Sequence, residues 1–227
     1  MIAIVDYGIG NLGSIAKAFR HLGAEARLTG DPAELGSADV LVLPGDGAFG
    51  AAMAEIRRRG LVEPLLQAAR AGRPLLGICI GMQLLFEESE EHGLHPGLGL
   101  LPGRVRRFQG PAFEGPQGLP IPHMGWNRLR RVGPHPVFEG VEDGAHVYFV
   151  HSYFCDAPAE VVLATAEYGQ QFAAVVGRAN LLGMQFHPEK SQRVGLDLIA
   201  GFLRWAGESE STWAAASPSH ASIERCP

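Results

Sequence analysis

The sequence predicts an α/β protein with a mostly parallel central sheet flanked by helices, to which the second half of the chain adds antiparallel or mixed strands. Three observations carry this expectation. Short runs that are apolar throughout alternate with helical patterns in the first part of the chain, the signature of a parallel sheet covered on both faces. From about Leu100 to Phe186, glycine and proline instead punctuate short β-branched and aromatic runs. With 227 residues, 46% hydrophobic and 19% charged, the chain is also long and apolar enough to bury a full core as one large domain.

Ile2 to Val5 is an aliphatic strand closed by Gly8, and a helical pattern from Leu12 to Leu22 follows, with Gly23 as its stop. Glu25 to Thr29 is a second strand. Asp31-Pro32-Ala33-Glu34 then combines an N-cap, a first-turn proline and a glutamate at N3, which starts a second helix. Asp39 to Leu43 supplies a third strand ending at Pro44-Gly45. Ala48 to Arg58 and Leu61 to Ala71 have helical composition and are stopped by Gly60 and Gly72. Pro74 to Ile78 is the fourth strand, and Met82 to Glu88 reads as a helical run. In the second half, strands are expected at Val147 to Val150, Val161 to Thr165 and Phe172 to Val176, with a further apolar run at Leu181 to Phe186. A last amphipathic helix fits Ser191 to Trp205, with Leu196, Ile199, Ala200 and Leu203 on its apolar stripe. Residues 1–206 are thus expected to form the domain, and residues 207–227, rich in serine and alanine, a flexible tail.

A formal charge of -5 offers no net positive field to gather phosphate backbones, so nucleic acid is not an expected partner. Cys79, Cys155 and Cys226 are too few and too scattered for a disulfide framework. The opening residues carry no basic segment, and the longest nearly apolar run, Leu75 to Phe86, falls short of the ~20 residues needed to span a bilayer. A soluble cytoplasmic protein without membrane contact is expected.

The sharpest local signal is Gly77-Ile78-Cys79-Ile80-Gly81, lying after a buried strand and before a helical run. It has the form of a nucleophile elbow with cysteine in place of serine. Glycine two residues before and after relieves the crowding of such a turn. The helix N-terminus behind it favours a thiolate, and the backbone N–H of Ile80 would face a developing oxyanion. Cys79 as a small buried hydrophobe explains the segment equally well when it is taken alone. Phe186-His187-Pro188-Glu189 breaks that tie. In extended backbone His187 and Glu189 project to one side, so the carboxylate can orient the imidazole and stabilise its cation as it takes a thiol proton. Leu43-Pro44-Gly45-Asp46-Gly47 ends another strand, at the carboxyl edge where ligand sites of parallel sheets lie, although a plain strand-to-helix turn accounts for it too.

These motifs together resemble the class I, triad glutamine amidotransferases, whose fold is flavodoxin-like. Within them, Gly10-Asn11-Leu12-Gly13-Ser14, the loop Pro44 to Phe49, Gly81 to Glu87, Pro122-His123-Met124-Gly125-Trp126-Asn127, His151-Ser152-Tyr153 and Phe186 to Ser191 are similar to the glutaminase subunits of imidazole glycerol phosphate synthases. The match spans roughly residues 1 to 206. The resemblance implies that Cys79 attacks the side-chain amide of glutamine, His187 shuttles the proton to the leaving ammonia and Glu189 orients His187. It implies an oxyanion pocket lined by backbone of Gly45, Gly47 and Ile80, and a glutamine site formed by Gln83, Glu91, His151, Ser152 and Tyr153. Glu91, within the acidic run Glu87 to Glu91, reads equally as a solvated face. The resemblance further implies a thioester intermediate and a separate (β/α)8 cyclase subunit. That subunit would join this chain in a heterodimer and conduct ammonia to a nucleotide, giving imidazole glycerol phosphate and an aminoimidazole carboxamide ribonucleotide in histidine biosynthesis. Asn11, Trp126 and Lys190 are candidate contacts with that partner, set against core packing for Trp126 and a plain exposed charge for Lys190. Asp46 departs from the family, where valine is common, and the serine-alanine tail lies outside its pattern.

Two other readings compete. Gly8-Ile9-Gly10-Asn11-Leu12-Gly13 fits G-x-G-x-x-G after a strand, and Asp31 lies about 20 residues on, as an NAD(P)-binding oxidoreductase would require. No tyrosine here is followed four residues later by lysine, and the cysteine, histidine and glutamate would be left idle. A catalytically silent regulatory module on the same fold is the other. His92 and His95 are spaced i, i+3, but Gly93 and Pro96 favour a loop, so neither metal nor cofactor is expected.

Overall fold

The computed structural model describes the backbone of residues 1–216 and the side chains of residues 1–207. The predicted tail therefore lies outside the described residues from 217 onward, and so do its side chains from 208. In the first half, strands β1 (Ile2–Val5), β2 (Ala26–Thr29), β3 (Val40–Leu43) and β4 (Leu75–Ile78) alternate with helices α1 (Leu12–His21), α2 (Pro32–Ser37), α3 (Phe49–Arg58), α4 (Val62–Arg70) and α5 (Ile80–Leu84). Asp31 caps α2 by accepting the Ala33 N–H at 2.9 Å, as the proline-bearing start of that helix predicts.

The second half contributes β5 (Glu88–Ser89), β6 (His95–Pro96), β7 (Arg104–Arg107), β8 (His123–Arg128), β9 (Arg130–Arg131), β10 (His146–His151), β11 (Tyr153–Asp156), β12 (Val162–Glu167), β13 (Gln171–Arg178), β14 (Leu181–Met184) and α6 (Gln192–Ala216). The main sheet has eight strands in the order β2-β1-β3-β4-β14-β13-β12-β9. Its first five are parallel and the last three antiparallel. β8 pairs with β10, and β11, β7, β5 and β6 form a separate four-stranded sheet. Helix α1 packs on α6 and α2 on α4, while β3 and β4 are buried along their whole length.

The register sets up the site. Leu43 of β3 lies beside Gly77 of β4, and Ile78 of β4 beside Met184 of β14. Three adjacent parallel strands thus end together, and the segments leaving them carry Asp46, Cys79 and His187 to one edge of the sheet.

Three expectations need correction. The run Met82 to Glu88 is not a helix throughout: α5 ends at Leu84, and Glu88–Ser89 pairs as a strand. Gly97 N–H bonds Glu87 O at 2.8 Å and Glu87 N–H bonds Gly103 O at 3.2 Å, so the backbone there serves the second sheet. Helix α6 extends past Trp205 to Ala216, and its buried stripe is Leu198, Ile199, Phe202 and Ala206, leaving Leu196, Ala200 and Leu203 half-buried. The helix is rotated because Gly201 presses on the chain at Val137, where a Cβ would meet the carbonyl oxygen at 2.3 Å. Finally, β7, β8 and β11 have no counterpart in the sequence reading. Among the described residues no helix is long and apolar enough to cross a membrane.

Candidate active site

Cys79 stands between β4 and α5 with φ 55° and ψ −113°, a backbone conformation that costs a residue with a Cβ on the order of 1–3 kcal/mol. The surroundings enforce it. A Cβ on Gly77 would sit 2.6 Å from Gly81 O, and one on Gly81 only 1.7 Å from Leu43 O, so the turn closes only with glycine at both places. Cys79 N–H donates to Met184 O at 2.8 Å, which ties the elbow to β14. Cys79 is 4% exposed.

His187 leaves the end of β14. Its N–H donates to Tyr148 O at 3.0 Å, and the Ser191 hydroxyl donates to its carbonyl at 2.7 Å while accepting from Tyr148 N–H at 2.9 Å. Pro188–Lys190 is a 3-10 turn rather than the extended segment the sequence suggests. That turn folds Glu189 back, and its Oε1 lies 2.8 Å from His187 Nδ1 in a pair whose side chains are 1% and 4% exposed. Burial works to lower the imidazole pKa, but hydrogen bonding with Cys79 and Glu189, and the charge of both, outweighs it and raises the pKa to about 10. With Nδ1 committed to Glu189, Nε2 is the nitrogen left, without a well-aligned partner of its own, to meet the Cys79 sulfur. A thiol, an imidazole and a buried carboxylate so arranged can make a nucleophile and move a proton.

Both groups open on a cavity of about 290 Å³ lined by Asp46, Gly47, Cys79, Ile80, Gln83, Glu91, His151, Ser152, Tyr153 and His187, with Pro122 and Val150. Gly45 stands behind this wall, where a Cβ would come within 2.4 Å of the Tyr7 hydroxyl. Glu91 is not a solvated acid: it is 8% exposed, and its Oε2 accepts the Phe49 N–H at the start of α3 at 2.6 Å. Gln83 is 1% exposed and donates from Nε2 to Tyr153 O at 3.0 Å and to Gln185 Oε1 at 3.1 Å, which leaves its Oε1 buried and unpartnered. Gln185, Ser191 and His123 are supports to which the sequence reading gives no role, although His123 and Ser191 lie within the motifs that carry the resemblance. For Gln185 and Ser191 the available signal was their place within two to four residues of His187.

Asp46 does two things. Its Oδ2 accepts the Asn11 N–H at 2.9 Å, and its Oδ1 lies 3.9 Å from His187 Nε2. The first contact also bears on the dinucleotide reading, because a carboxylate already occupies an N–H of the glycine-rich loop. Asp31, the acid that reading requires, is spent on capping α2. Asn11 and Lys190 are exposed, and Trp126, 47% exposed beside Tyr148, is not a core residue.

The sequence matches the glutamine amidotransferase class-I family over residues 3–204. It is 53% identical to the imidazole glycerol phosphate synthase subunit HisH of Syntrophotalea carbinolica, over 89% of this chain and 98% of that one. Identity to the subunit of the same name from Geobacter sulfurreducens is 50%, over 88% and 97%. Among solved structures, PurLQS from Thermotoga maritima superposes with a TM-score of 0.69 at 20% identity, covering 90% of this chain and 97% of that one. A crystal structure titled glutamine amidotransferase gives 0.70 at 24% identity, covering 91% and 100%. The last two share the fold.

Proposed function

The chain belongs to the class I glutamine amidotransferases, and from that premise we propose that it is the glutaminase subunit of an imidazole glycerol phosphate synthase, working in the cytoplasm in histidine biosynthesis. The observation that carries this reading is the convergence of Cys79 and His187 on one cavity, with Glu189 buried behind His187, holding Nδ1 at 2.8 Å and leaving Nε2 for the thiol.

The Cys79 thiolate attacks the side-chain amide carbon of glutamine, and the oxygen that becomes negative is met by backbone N–H groups of Gly47 and Ile80. His187, as imidazolium, passes its Nε2 proton to the amide nitrogen, the C–N bond breaks, and ammonia leaves a glutamyl thioester. Water then attacks the thioester while Nε2 takes its proton. Glutamate departs, and the proton returns the pair to its starting state. Glu189 keeps Nδ1 protonated and the ring oriented throughout. Gln83, Glu91 and, largely through its backbone, the His151-Ser152-Tyr153 segment hold the amino-acid end of the substrate.

Ammonia released into water becomes ammonium and stops being a nucleophile, so this chemistry calls for a partner that receives it under cover. The partner is a (β/α)8 cyclase in a heterodimer, contacted through Trp126, Asn11 and Lys190, and residues 1–206 carry the whole glutaminase. Glutamate release by the chain alone, with the cyclase, and with the cyclase plus its nucleotide ligand tests this. Rates should be low, low and high, and Cys79→Ser should abolish the last. Equal rates in all three would remove the gating by the partner, and no release in any would remove the reading.

A further inference from the structure

Beneath the exposed side of β8, a series of hydrogen bonds runs through two buried histidines into the cavity. Asn127 Nδ2 lies 3.3 Å from His123 Nε2, His123 Nδ1 lies 3.1 Å from His151 Nε2, and His151 Nδ1 lies 2.8 Å from Tyr153 O. A carbonyl oxygen can only accept, so His151 carries its proton on Nδ1, and its Nε2 is an acceptor. His123 must then donate from Nδ1, which leaves its Nε2 to accept from the Asn127 amide. That amide is itself oriented, donating to Glu167 O at 2.8 Å and accepting from Arg128 N–H at 2.7 Å. Burial holds both rings neutral, lowering His123 to about 4 and, against the opposing pull of the Tyr153 carbonyl, His151 to about 3. The His123 ring stacks on Phe149 and on Tyr168, at centroid distances of 5.0 and 4.0 Å.

The series ends on Tyr153 O, which also receives Gln83 Nε2 at 3.0 Å. Gln83 therefore cannot turn its amide around without placing its oxygen against that carbonyl. Its Oε1 remains a buried, unpartnered acceptor on a side chain that lines the cavity. We propose that His123 and His151 are positioning residues that fix the Tyr153 carbonyl and, through it, the Gln83 amide, so that Gln83 Oε1 meets an N–H of the bound glutamine. Neither ring transfers a proton in the reaction. The identity of the substrate rests on the reading in the preceding section.

Two measurements test this. Nitrogen-15 NMR of the wild-type imidazoles at neutral pH should show His123 and His151 both as neutral Nδ1–H tautomers, the reverse of the Nε2–H form that free side chains favour. An Nε2–H form or an imidazolium on either ring overturns the relay, and this measurement needs neither glutamine nor a variant. In the second, glutamine protects Cys79 from alkylation by iodoacetamide. His123→Phe should need about tenfold more glutamine for half-protection, the loss expected when a buried donor is removed, while its alkylation rate without glutamine stays within about twofold of wild type. His123→Gln, which restores an N–H toward His151, should recover most of that protection. Unchanged protection in His123→Phe sinks the relay, as does a large change in its unprotected alkylation rate. A wild type that glutamine does not protect sinks the glutaminase reading itself, with the tautomers still measured independently.

Discussion

The two walls of the cavity are held by different physics. On the β4 side the backbone does the work: Cys79 sits at φ 55° because Gly77 lets the turn close on Gly81 and Gly81 lets it press on Leu43, and no side-chain hydrogen bond caps the turn. On the β14 side the backbone of His187 is ordinary, at φ −97° and ψ 98°, and placement comes from hydrogen bonds to Glu189, Ser191 and Tyr148. A steric wall fails all at once when an atom is added. A hydrogen-bonded wall fails by degrees, and its failure depends on pH.

The largest effect should therefore follow Gly81→Ala, whose Cβ would lie only 1.7 Å from Leu43 O. The backbone cannot yield there without unmaking the β3–β4–β14 edge, so we expect a loss of stability on the order of 4 kcal/mol or more. For a domain of this size that is a fall of roughly 10 °C in Tm. A calorimetric Tm within two or three degrees of wild type would show that the elbow is not sterically closed.

Glu189→Gln should leave the fold in place and strike the chemistry. Removing the charge beside Nδ1 should cut kcat by about 10²- to 10⁴-fold, the scale seen when a triad carboxylate is neutralised. The wild-type rate should also fall on the alkaline side as His187 loses its proton near its raised pKa of about 10, and in the variant that limb should move to lower pH. The sign for stability is the same. A cation favoured in the folded state contributes fully below the ordinary value of 6.5, and the contribution is lost as pH rises through about 10. Tm should decline between pH 7 and 10 more steeply in the wild type than in Glu189→Gln. Identical slopes would mean that the carboxylate does not set the charge of the ring.

The same contrast explains what could be read from the chain before folding. The elbow is legible because its constraint is local: glycines at 77 and 81 around a cysteine report a close approach whatever the rest of the fold does. The alternating strands of the first half are legible for the same reason. Strand β8 was not, since His123-Met124-Gly125-Trp126-Asn127-Arg128 holds no β-branched residue and owes its pairing to β10. For Glu91 the chain leaves a glutamine-site residue and a solvated acid side by side, because nothing nearby in sequence announces the Phe49 N–H it accepts. The His123–His151 contact joins residues on two different strands, and only the β8–β10 register, which sets them directly opposite, puts the rings together.

Asp46 is where the two walls touch, and it should give the smallest effect. Its Oδ2 holds Asn11 N–H at 2.9 Å on the β1 side, while its Oδ1 stands 3.9 Å from His187 Nε2, with 40% of the side chain exposed. Solvent screens such a charge, so its pull on the imidazolium should be worth no more than about 1 kcal/mol, or roughly fivefold in rate. Asp46→Asn and Asp46→Val separate the two contacts. The amide can still accept from Asn11 and keeps the loop in place, so any change in Asp46→Asn reports the charge alone. Without a competing carboxylate near Nε2, the imidazolium is shared with Cys79 only, and the glutaminase rate of Asp46→Asn should rise by a few-fold at most. Valine removes the anchor as well. If the loop matters beyond the charge, Asp46→Val should depart from Asp46→Asn in the partner-free rate, where no partner subunit steadies the loop that the Asp46–Asn11 bond anchors. Equal rates for the two variants would assign the whole effect to the charge, and a loss above tenfold in Asp46→Asn would make Asp46 part of the hydrogen-bonded wall.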